Sequence, residues 1–146
     1  MIDAINESWK WMQIVATDVV ATNSFGNVIF RDDKDKFWRI CPEELSCSLI
    51  ALDKQGFEEL REKEAFKLGW EMEELTKAAK DKLGDPPPGS TYCLKFPPVL
   101  GGLYDAANLG VIAQQELIKF SGKMAFQIKD LPDGAKININ MQDLFL

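Results

Sequence analysis

The sequence predicts one α+β domain in which an antiparallel meander carries helices packed on one face. In the first third of the chain, β-branched and aromatic residues form short clusters separated by turn residues, which is typical of strands joined by tight connections. Farther along, apolar residues recur with the period of amphipathic helices. The 146 residues are 46% hydrophobic, which suffices for one core of ordinary size, so we expect residues 1–146 to form a single domain.

Turn residues between apolar clusters place the strands of the meander. Residues 23–27, Asn-Ser-Phe-Gly-Asn, predict a hairpin turn, and the charged residues 32–36 predict a second turn. Pro42 interrupts the third strand because proline lacks the amide that a sheet requires. With connections this short, consecutive strands pair with one another. The clusters that form the strands are residues 14–17, 19–22, 28–30, 37–41 and 46–52.

Two helical segments are predicted in the middle of the chain. Asp53 can cap a helix that runs to about Lys63, because its carboxylate accepts a hydrogen bond from a free amide of the first turn. A second segment follows, with Gly69 weakening the join, and Gly84 with the prolines at 86–88 ends it. The stripe expected to face the core on this second segment is Leu68, Met72, Leu75, Ala79 and Leu83.

The last third is predicted to alternate strands and a helix. We expect a strand at 91–96, a loop from Pro97 to Tyr104, a short extended piece near 109–112 and a helix from about Gln114 to Ile128. A final alternating strand is predicted at 136–140. The helix residues expected to face the sheet are Leu117, Phe120, Met124 and Ile128.

The composition excludes several kinds of chemistry. The chain has no histidine, which rules out a Ser-His-Asp or Cys-His nucleophile system. The carboxylates of residues 32–35 and of Glu43 and Glu44 could act as an acid/base pair or bind a hard cation, but the run at 32–35 lacks the glycine and distal glutamate of a calcium loop and is better explained as a solvated turn. We therefore predict no enzymatic activity, no cofactor and no metal.

The two sequence features most easily mistaken for ligand sites have structural explanations. Gly101 and Gly102 match neither the G-x-G-x-x-G pattern nor the lysine-containing phosphate loop, so a tight turn needing positive φ explains them better. Three cysteines are an odd number without paired spacing, which favours small buried residues in a reducing compartment over disulfides.

The formal net charge of −6 lies entirely in the first part of the chain. Residues 1–85 carry 18 acidic and 12 basic residues, whereas residues 86–146 carry five of each. An acidic surface repels phosphate backbones and membrane lipids and attracts a basic protein, so neither nucleic acid nor a membrane is predicted as a partner. Acidity that serves solubility alone is the alternative.

Tryptophan is the other unusual feature of the composition, because this residue anchors interfaces as often as it fills cores. Trp38 lies within a predicted strand and is expected in the core. Trp9 and Trp11 either lie on one side of an extended N-terminal segment or begin a helix, and Trp70 lies off the predicted apolar stripe. These three are expected either to pack at the edge of the core or to present at least one partner contact.

The segment from Tyr92 to Leu109 carries a family resemblance. It joins an apolar strand, a Pro-Pro kink and the Gly101-Gly102 turn to a restart led by Asp105 and containing Asn108. This order resembles the C-terminal half of a bacterial immunity-protein domain associated with type VI secretion DNase toxins. The resemblance is clearest over residues 88–133, and the phrase Phe-Gly-Asn-Val-Ile-Phe at 25–30 is similar to the first hairpin of that family.

In general outline the chain is also similar to the larger Smi/Knr-type immunity superfamily. The charged segment from Lys54 to Lys82 departs from the family pattern in being longer and more helical, as an insertion that meets the partner would be. The resemblance implies a single α+β domain in the bacterial cytoplasm, and the absence of a signal-like N-terminus and of a long apolar run also predicts a cytoplasmic protein.

The resemblance implies that the chain binds and neutralises a cognate secreted toxin, a nuclease, by covering its working surface. The alternative is a small regulatory or scaffold domain that binds an endogenous protein or peptide through the loop from Pro97 to Tyr104. The sequence does not predict an oligomeric state. The residues expected to contact the partner are Glu43, Glu44, Glu58, Glu59, Glu62 and Trp70, and those expected to form a structural turn are Gly101, Gly102 and Asn108.

Overall fold

The computed structural model describes residues 1–132, 134–135 and 145–146. The predicted final strand at 136–140 lies outside these residues. Six strands and five helices occur within the described part of the chain. In chain order they are α1 (Ile2–Ser8), β1 (Ala16–Thr22), β2 (Val28–Asp32), β3 (Phe37–Cys41), β4 (Ser46–Ala51), α2 (Lys54–Arg61), α3 (Glu64–Glu71), α4 (Glu73–Leu83), β5 (Ser90–Leu94), β6 (Leu109–Ala113) and α5 (Gln114–Ile128).

The strands form two antiparallel sheets. The first contains four strands in the order β1-β2-β3-β4, so the predicted meander and the α+β class are confirmed. The second is the pair β5-β6. The hairpin turn between β1 and β2 forms because the side-chain oxygen of Asn23 accepts hydrogen bonds from the backbone amides of Phe25 and Asn27, each at 3.0 Å. The backbone amide of Tyr92 donates to the Ser24 carbonyl at 3.2 Å, which ties β5 to this turn.

Helices cover both faces of the four-stranded sheet, whereas one covered face was expected. Three consecutive residues of β2 are buried. Alternate side chains of a strand point to opposite faces of the sheet, so both faces must be covered. Val28 and Phe30 pack in a cluster with residues of α1 and α5, and Ile29 packs in another with Phe57 of α2. The second sheet is likewise covered twice, by Ala79 of α4 in one cluster and by Leu117 of α5 in another.

The N-terminal segment is helical, but the helix precedes the tryptophans instead of beginning with them: Trp9 caps the C-terminus of α1, and Trp11 lies in the 3-10 turn Lys10–Met12. Trp9 is 2% exposed, and Trp11 is partly buried against the same cluster, where its indole nitrogen donates to the Gly122 carbonyl at 3.2 Å. Helices α1 and α5 approach closely at Gly122, where an added Cβ would lie 2.5 Å from the carbonyl oxygen of Ser8. Neither tryptophan therefore offers a large contact surface.

The second predicted helical segment is divided into α3 and α4 at Met72. This residue has a left-handed backbone with φ of 48°, and Gly69 lies inside α3 without ending it. Leu68 is 68% exposed instead of facing the core, because α3 turns Phe66 and Trp70 toward the cluster around Phe57. On α4 the predicted stripe is correct for Ala79, which is fully buried, and for the half-buried Leu75, but it is wrong for Leu83, which is 37% exposed.

The remaining predictions concern caps, cysteines and membrane segments. Asp53 caps α2 by accepting a hydrogen bond from the Gly56 amide at 2.7 Å, as predicted. Cys41, Cys47 and Cys93 are all buried free thiols, and burial raises the pKa of Cys47 and of Cys93 to about 12. Every helix in the described ranges is too short or too polar to cross a lipid bilayer.

Candidate functional site

Two clefts lie side by side where the helical segment meets the loop after β5. The larger, of about 610 Å³, lies between the α3–α4 junction and residues 104–106. The smaller, of about 380 Å³, lies between the ends of β3 and β4, Gly69 and the 3-10 turn Pro42–Glu44. Met72 and Tyr104 line both clefts. We call the two together the acidic groove, whose lining includes Glu44, Leu68, Met72, Glu73, Glu74 and Tyr104.

The loop wall of the acidic groove is held in place by Asn108. Its side-chain nitrogen donates to the carbonyls of Phe96 and Leu103, at 2.8 and 2.9 Å, and its side-chain oxygen accepts from the Phe96 amide at 2.8 Å. Asp105 caps the short turn that follows by accepting from the Ala107 amide at 3.0 Å. These bonds fix both ends of the loop, and the predicted structural role of Asn108 therefore has a clear basis.

The two glycines of this loop are needed for different reasons. Gly101 has φ of 106°, which is the positive φ that the sequence predicted for the pair. Gly102 does not have a positive φ. It is required by space, since an added Cβ there would lie 1.9 Å from the Phe96 carbonyl oxygen. The prediction was therefore correct for Gly101 and had the wrong physical reason for Gly102.

Glu43, a predicted partner contact, is buried at the base of the smaller cleft. It is 8% exposed, and its carboxylate accepts two hydrogen bonds from the fully buried Asn27. The side-chain oxygen of Asn27 in turn accepts from Arg39, at 3.0 Å from Nε and 2.9 Å from Nη2. Glu43 thus has a structural role that explains its burial, because a buried carboxylate requires hydrogen-bond donors.

Trp70, also a predicted partner contact, is half-buried beside the acidic groove. Its ring stacks on Phe66 with 6.1 Å between centroids, and the Arg39 guanidinium lies 5.2 Å from the ring centroid. Arg39 also donates to the Gly69 carbonyl at 3.3 Å. The indole therefore helps to position α3 over the sheet, and only its outer part is available to a partner.

The remaining predicted contacts fall into two groups. Glu44 is exposed and lines the acidic groove. Glu58 and Glu59 on α2, and Glu62 at the C-cap of α2, are exposed and are not among the residues that line the groove. Glu58 lies 3.7 Å from Arg61 and Glu62 lies 4.0 Å from Lys67, so part of the α2 charge is compensated. The structure does not bring the predicted acidic residues together in one patch.

Sequence reasoning did not single out Glu73 and Glu74, which occupy the first turn of α4 and line the acidic groove. The run Glu-Met-Glu-Glu at 71–74 was the available signal, because acidic residues are favoured at a helix N-terminus. Burial raises the pKa of Tyr104, and the nearby carboxylates of Glu43 and Glu44 raise it further. The exposed carboxylates Glu44, Glu73 and Glu74 thus line the groove together with the basic side chain of Arg39.

Most of the side chains that line the groove are apolar or carry carboxylates. Within the described ranges, no three Asp, Glu or Cys side chains lie close enough to hold a metal ion. What the acidic groove does provide is exposed apolar surface beside carboxylates.

Comparison with known proteins gives one structural match. The crystal structure of Atu4351 from Agrobacterium tumefaciens superposes with a TM-score of 0.55 at 16% sequence identity, covering 83% of this chain and 62% of that one. This chain thus spans less than two thirds of that protein, and the match shows a shared fold. No curated protein matches significantly.

Comparison with protein families gives a more specific result. The family described as "T6SS immunity protein Tdi1, C-terminal" matches residues 51–125, which begin at the end of β4 and end within α5. The matched residues include α3, α4 and the Asn108 loop, and therefore most of the acidic groove. Since the match covers just over half of the 146 residues, this chain belongs to the type VI secretion immunity protein family of the Tdi1 C-terminal type.

Proposed function

We propose that this immunity protein acts in the bacterial cytoplasm, where it binds a cognate secreted toxin, a nuclease, and neutralises it by covering the working surface of the toxin. Membership of the type VI secretion immunity family is the observation that carries the proposal. Neutralisation by coverage needs a complementary surface and no catalytic group of the inhibitor, and we propose that the chain has no enzymatic activity of its own.

The charge distribution supports a nuclease as the partner. Proteins that bind nucleic acid present basic surfaces to the phosphate backbone, and an acidic inhibitor is electrostatically complementary to such a surface. The formal charge of −6 and the concentration of acidic residues in the first 85 positions fit this partner. Complementary charge also accelerates association, which favours an inhibitor that must capture an incoming toxin before it reaches DNA.

The second candidate is a regulatory or scaffold domain that binds an endogenous peptide through the loop after β5. The observation that favours it is the exposure of apolar residues on this loop: Val99 is 55% exposed and Leu103 is 62% exposed. Single exposed apolar residues are normal, but two on one ordered loop are consistent with a binding surface.

Co-expression tests the proposed function. A type VI secretion toxin gene from the genome that encodes this chain is expressed in a susceptible bacterium, alone, with this chain, or with an unrelated acidic protein of similar size. We expect growth and chromosomal DNA integrity to be restored by this chain only. If the folded chain is present and the DNA is still degraded, the toxin-neutralising function is wrong. If growth is rescued from a toxin that leaves DNA intact, only the nuclease assignment is wrong.

A further inference from the structure

We propose that the acidic groove binds a basic segment of the toxin in which lysine or arginine residues flank an aromatic or aliphatic anchor. This inference rests on the proposed function and adds to it the place and the chemistry of recognition. It differs from the surface predicted from the sequence, which relied mainly on the glutamates of α2.

The apolar part of the groove accommodates the anchor. Leu68 on α3 is 68% exposed and Tyr104 on the facing loop is 54% exposed, so two large side chains stand on opposite walls. Between them lie the half-buried side chains of Met72 and Leu75. Methionine adapts its shape to an incoming side chain more readily than branched residues do. An apolar side chain inserted here would cover part of the exposed apolar surface of these four residues.

The charges around the groove select a basic segment. Glu44, Glu73, Glu74 and Asp105 are exposed at its rim. Across the described part of the chain, none of the four forms a salt bridge, whereas Glu58 and Glu62 on α2 each face a basic side chain. Carboxylates that are not already compensated gain more from an approaching lysine or arginine.

The basic residue that lines the smaller cleft, Arg39, offsets part of this charge, but its hydrogen-bond donors are engaged within the protein. Arg39 directs its guanidinium to the side-chain oxygen of Asn27 and to the face of Trp70, so its donors are used within the protein. The buried carboxylate of Glu43 lies close enough to influence Tyr104 in the same cleft. The groove is therefore acidic on balance, because four exposed carboxylates line it against two cations, Arg39 and Lys82, and the Lys82 ammonium donates to the Ala106 carbonyl.

Order in the loop wall lowers the cost of binding. Because Asn108 holds Phe96 and Leu103 by their backbones, the loop does not have to be ordered when a partner arrives. A site that is already in its bound conformation loses less conformational entropy on association.

A labelled synthetic peptide of alternating lysine and leucine with one central phenylalanine tests the groove without the toxin. Fluorescence anisotropy measures its dissociation constant for the whole chain and for two variants that each remove three negative charges. One variant combines Glu44→Gln, Glu73→Gln and Glu74→Gln in the groove. The matched control combines Glu58→Gln, Glu59→Gln and Glu62→Gln on α2. A second peptide, with serine in place of leucine and phenylalanine, tests the apolar anchor.

We expect the groove variant to weaken peptide binding about tenfold and the α2 variant to change it less than about twofold, since only the groove charges adjoin the bound peptide. The serine peptide should bind at least about tenfold more weakly, because the anchor contributes through buried apolar area. Equal loss in the two variants, equal binding of the two peptides, or no saturable binding would overturn the proposal. Far-ultraviolet circular dichroism confirms that each variant is folded.

Repeating the comparison with the toxin separates this proposal from the proposed function. If the toxin binds the wild-type chain and the groove variant keeps full affinity, the groove is wrong and the immunity function stands. If the peptide binds at the groove but the wild-type chain does not neutralise the toxin, then the proposed function is wrong and the groove has a different partner. Loss of toxin affinity in the groove variant, with affinity retained in the α2 variant, supports both.

Discussion

The side-chain amide of Asn27 donates to both carboxylate oxygens of Glu43, at 3.2 and 3.0 Å, in the interior of the protein. The same side chain accepts from Arg39, so its oxygen faces a cation and its nitrogen faces an anion. Only this orientation pairs a donor with an acceptor on both sides. The link connects β2, β3 and the turn Pro42–Glu44, and thereby fixes one wall of the acidic groove.

Replacing Asn27 tests the importance of this link. Asn27→Ala would leave the buried Glu43 carboxylate without its amide donors and Arg39 without its acceptor. We expect the free energy of unfolding to fall by about 2 to 4 kcal/mol, because an unsatisfied buried charge costs more than a lost neutral hydrogen bond. Urea denaturation measures the change. The double variant Asn27→Ala/Glu43→Gln should recover part of the loss, and an equal or greater loss would contradict this explanation.

Asp32 should make the stability depend on pH. Its carboxylate accepts hydrogen bonds from the amides of Lys34 and Lys36, both at 2.9 Å, and from the Trp38 indole at 2.8 Å. Burial by itself raises the pKa of Asp32, but the hydrogen bonds from Trp38, Lys36 and Lys34 outweigh it and lower the pKa. A carboxyl group with a lowered pKa stabilises the fold above its unfolded pKa of about 4, and this stabilisation is lost as the pH falls through the folded value.

We therefore expect Asp32→Asn to reduce the free energy of unfolding by about 1 to 3 kcal/mol near neutral pH. The difference from wild type should shrink at a second, acidic pH below the unfolded pKa, because the charge of Asp32 is lost as the pH falls through its lowered folded pKa. Urea unfolding of both proteins at the two pH values provides the measurement. Asp33→Asn, at the exposed neighbouring position, serves as the control and should change stability little at either pH. A constant effect of Asp32→Asn at both pH values would show that the charge is unimportant.

The adjacent glycines of the loop should respond differently to alanine. Gly102→Ala would place a methyl group against the Phe96 carbonyl and force the loop away from Asn108. We expect a loss of about 2 kcal/mol or more, together with weaker peptide binding at the groove. Gly101→Ala meets open space and should cost only about 1 kcal/mol, from its positive φ. Thermal unfolding and the anisotropy assay measure both, and identical behaviour would contradict the packing argument.

Two helix glycines should give effects of opposite sign. Gly69 lies in α3, and a methyl group added there would meet nothing within 4 Å. Gly69→Ala should therefore stabilise the protein by about 0.5 to 1 kcal/mol, because alanine favours the helix more than glycine does. Gly122→Ala would press against Ser8 across the α1–α5 contact and should destabilise it by about 1 to 3 kcal/mol. Urea denaturation measures the free energy of unfolding of both variants. A stabilising effect of Gly122→Ala would show that α1 and α5 are not in close contact.

The cysteines should be unreactive until the protein unfolds. Burial raises the pKa of Cys47 and of Cys93 to about 12 and also raises that of Cys41, so all three are protonated thiols near pH 8. We expect iodoacetamide to leave the native chain unmodified over minutes and to label all three cysteines in urea. Intact-mass spectrometry counts the adducts, and rapid labelling of the native chain would contradict the burial of the thiols.

Local signals were sufficient for much of the fold. The Asp53 cap and the bounds of α5 follow from neighbouring residues, and the predicted helix from Gln114 to Ile128 coincides with α5. Turn residues likewise predicted the hairpin at 23–27, since the Asn23 side chain bonds the backbone only a few positions away.

The features that sequence reasoning missed depend on distant or atypical residues. Glu43 is buried because Asn27, 16 positions earlier, supplies its donors, and nothing near Glu43 in the sequence indicates this partner. The helix break at Met72 contains neither glycine nor proline, so no ordinary signal marks it. Because the break was not predicted, Leu68 was assigned to one continuous apolar stripe. The groove at the α3–α4 junction therefore could not be predicted either.

The acidic groove lies outside the core, so its surface can change while the fold persists. Leu68 and Tyr104, which line it, each leave more than half of their surface in water, so substitutions at these positions remove little from the hydrophobic core. Both faces of the four-stranded sheet are occupied by helices and remain under packing constraint. If the groove binds the toxin as proposed, the protein can follow the divergence of that toxin one surface residue at a time, and each variant along the way remains folded.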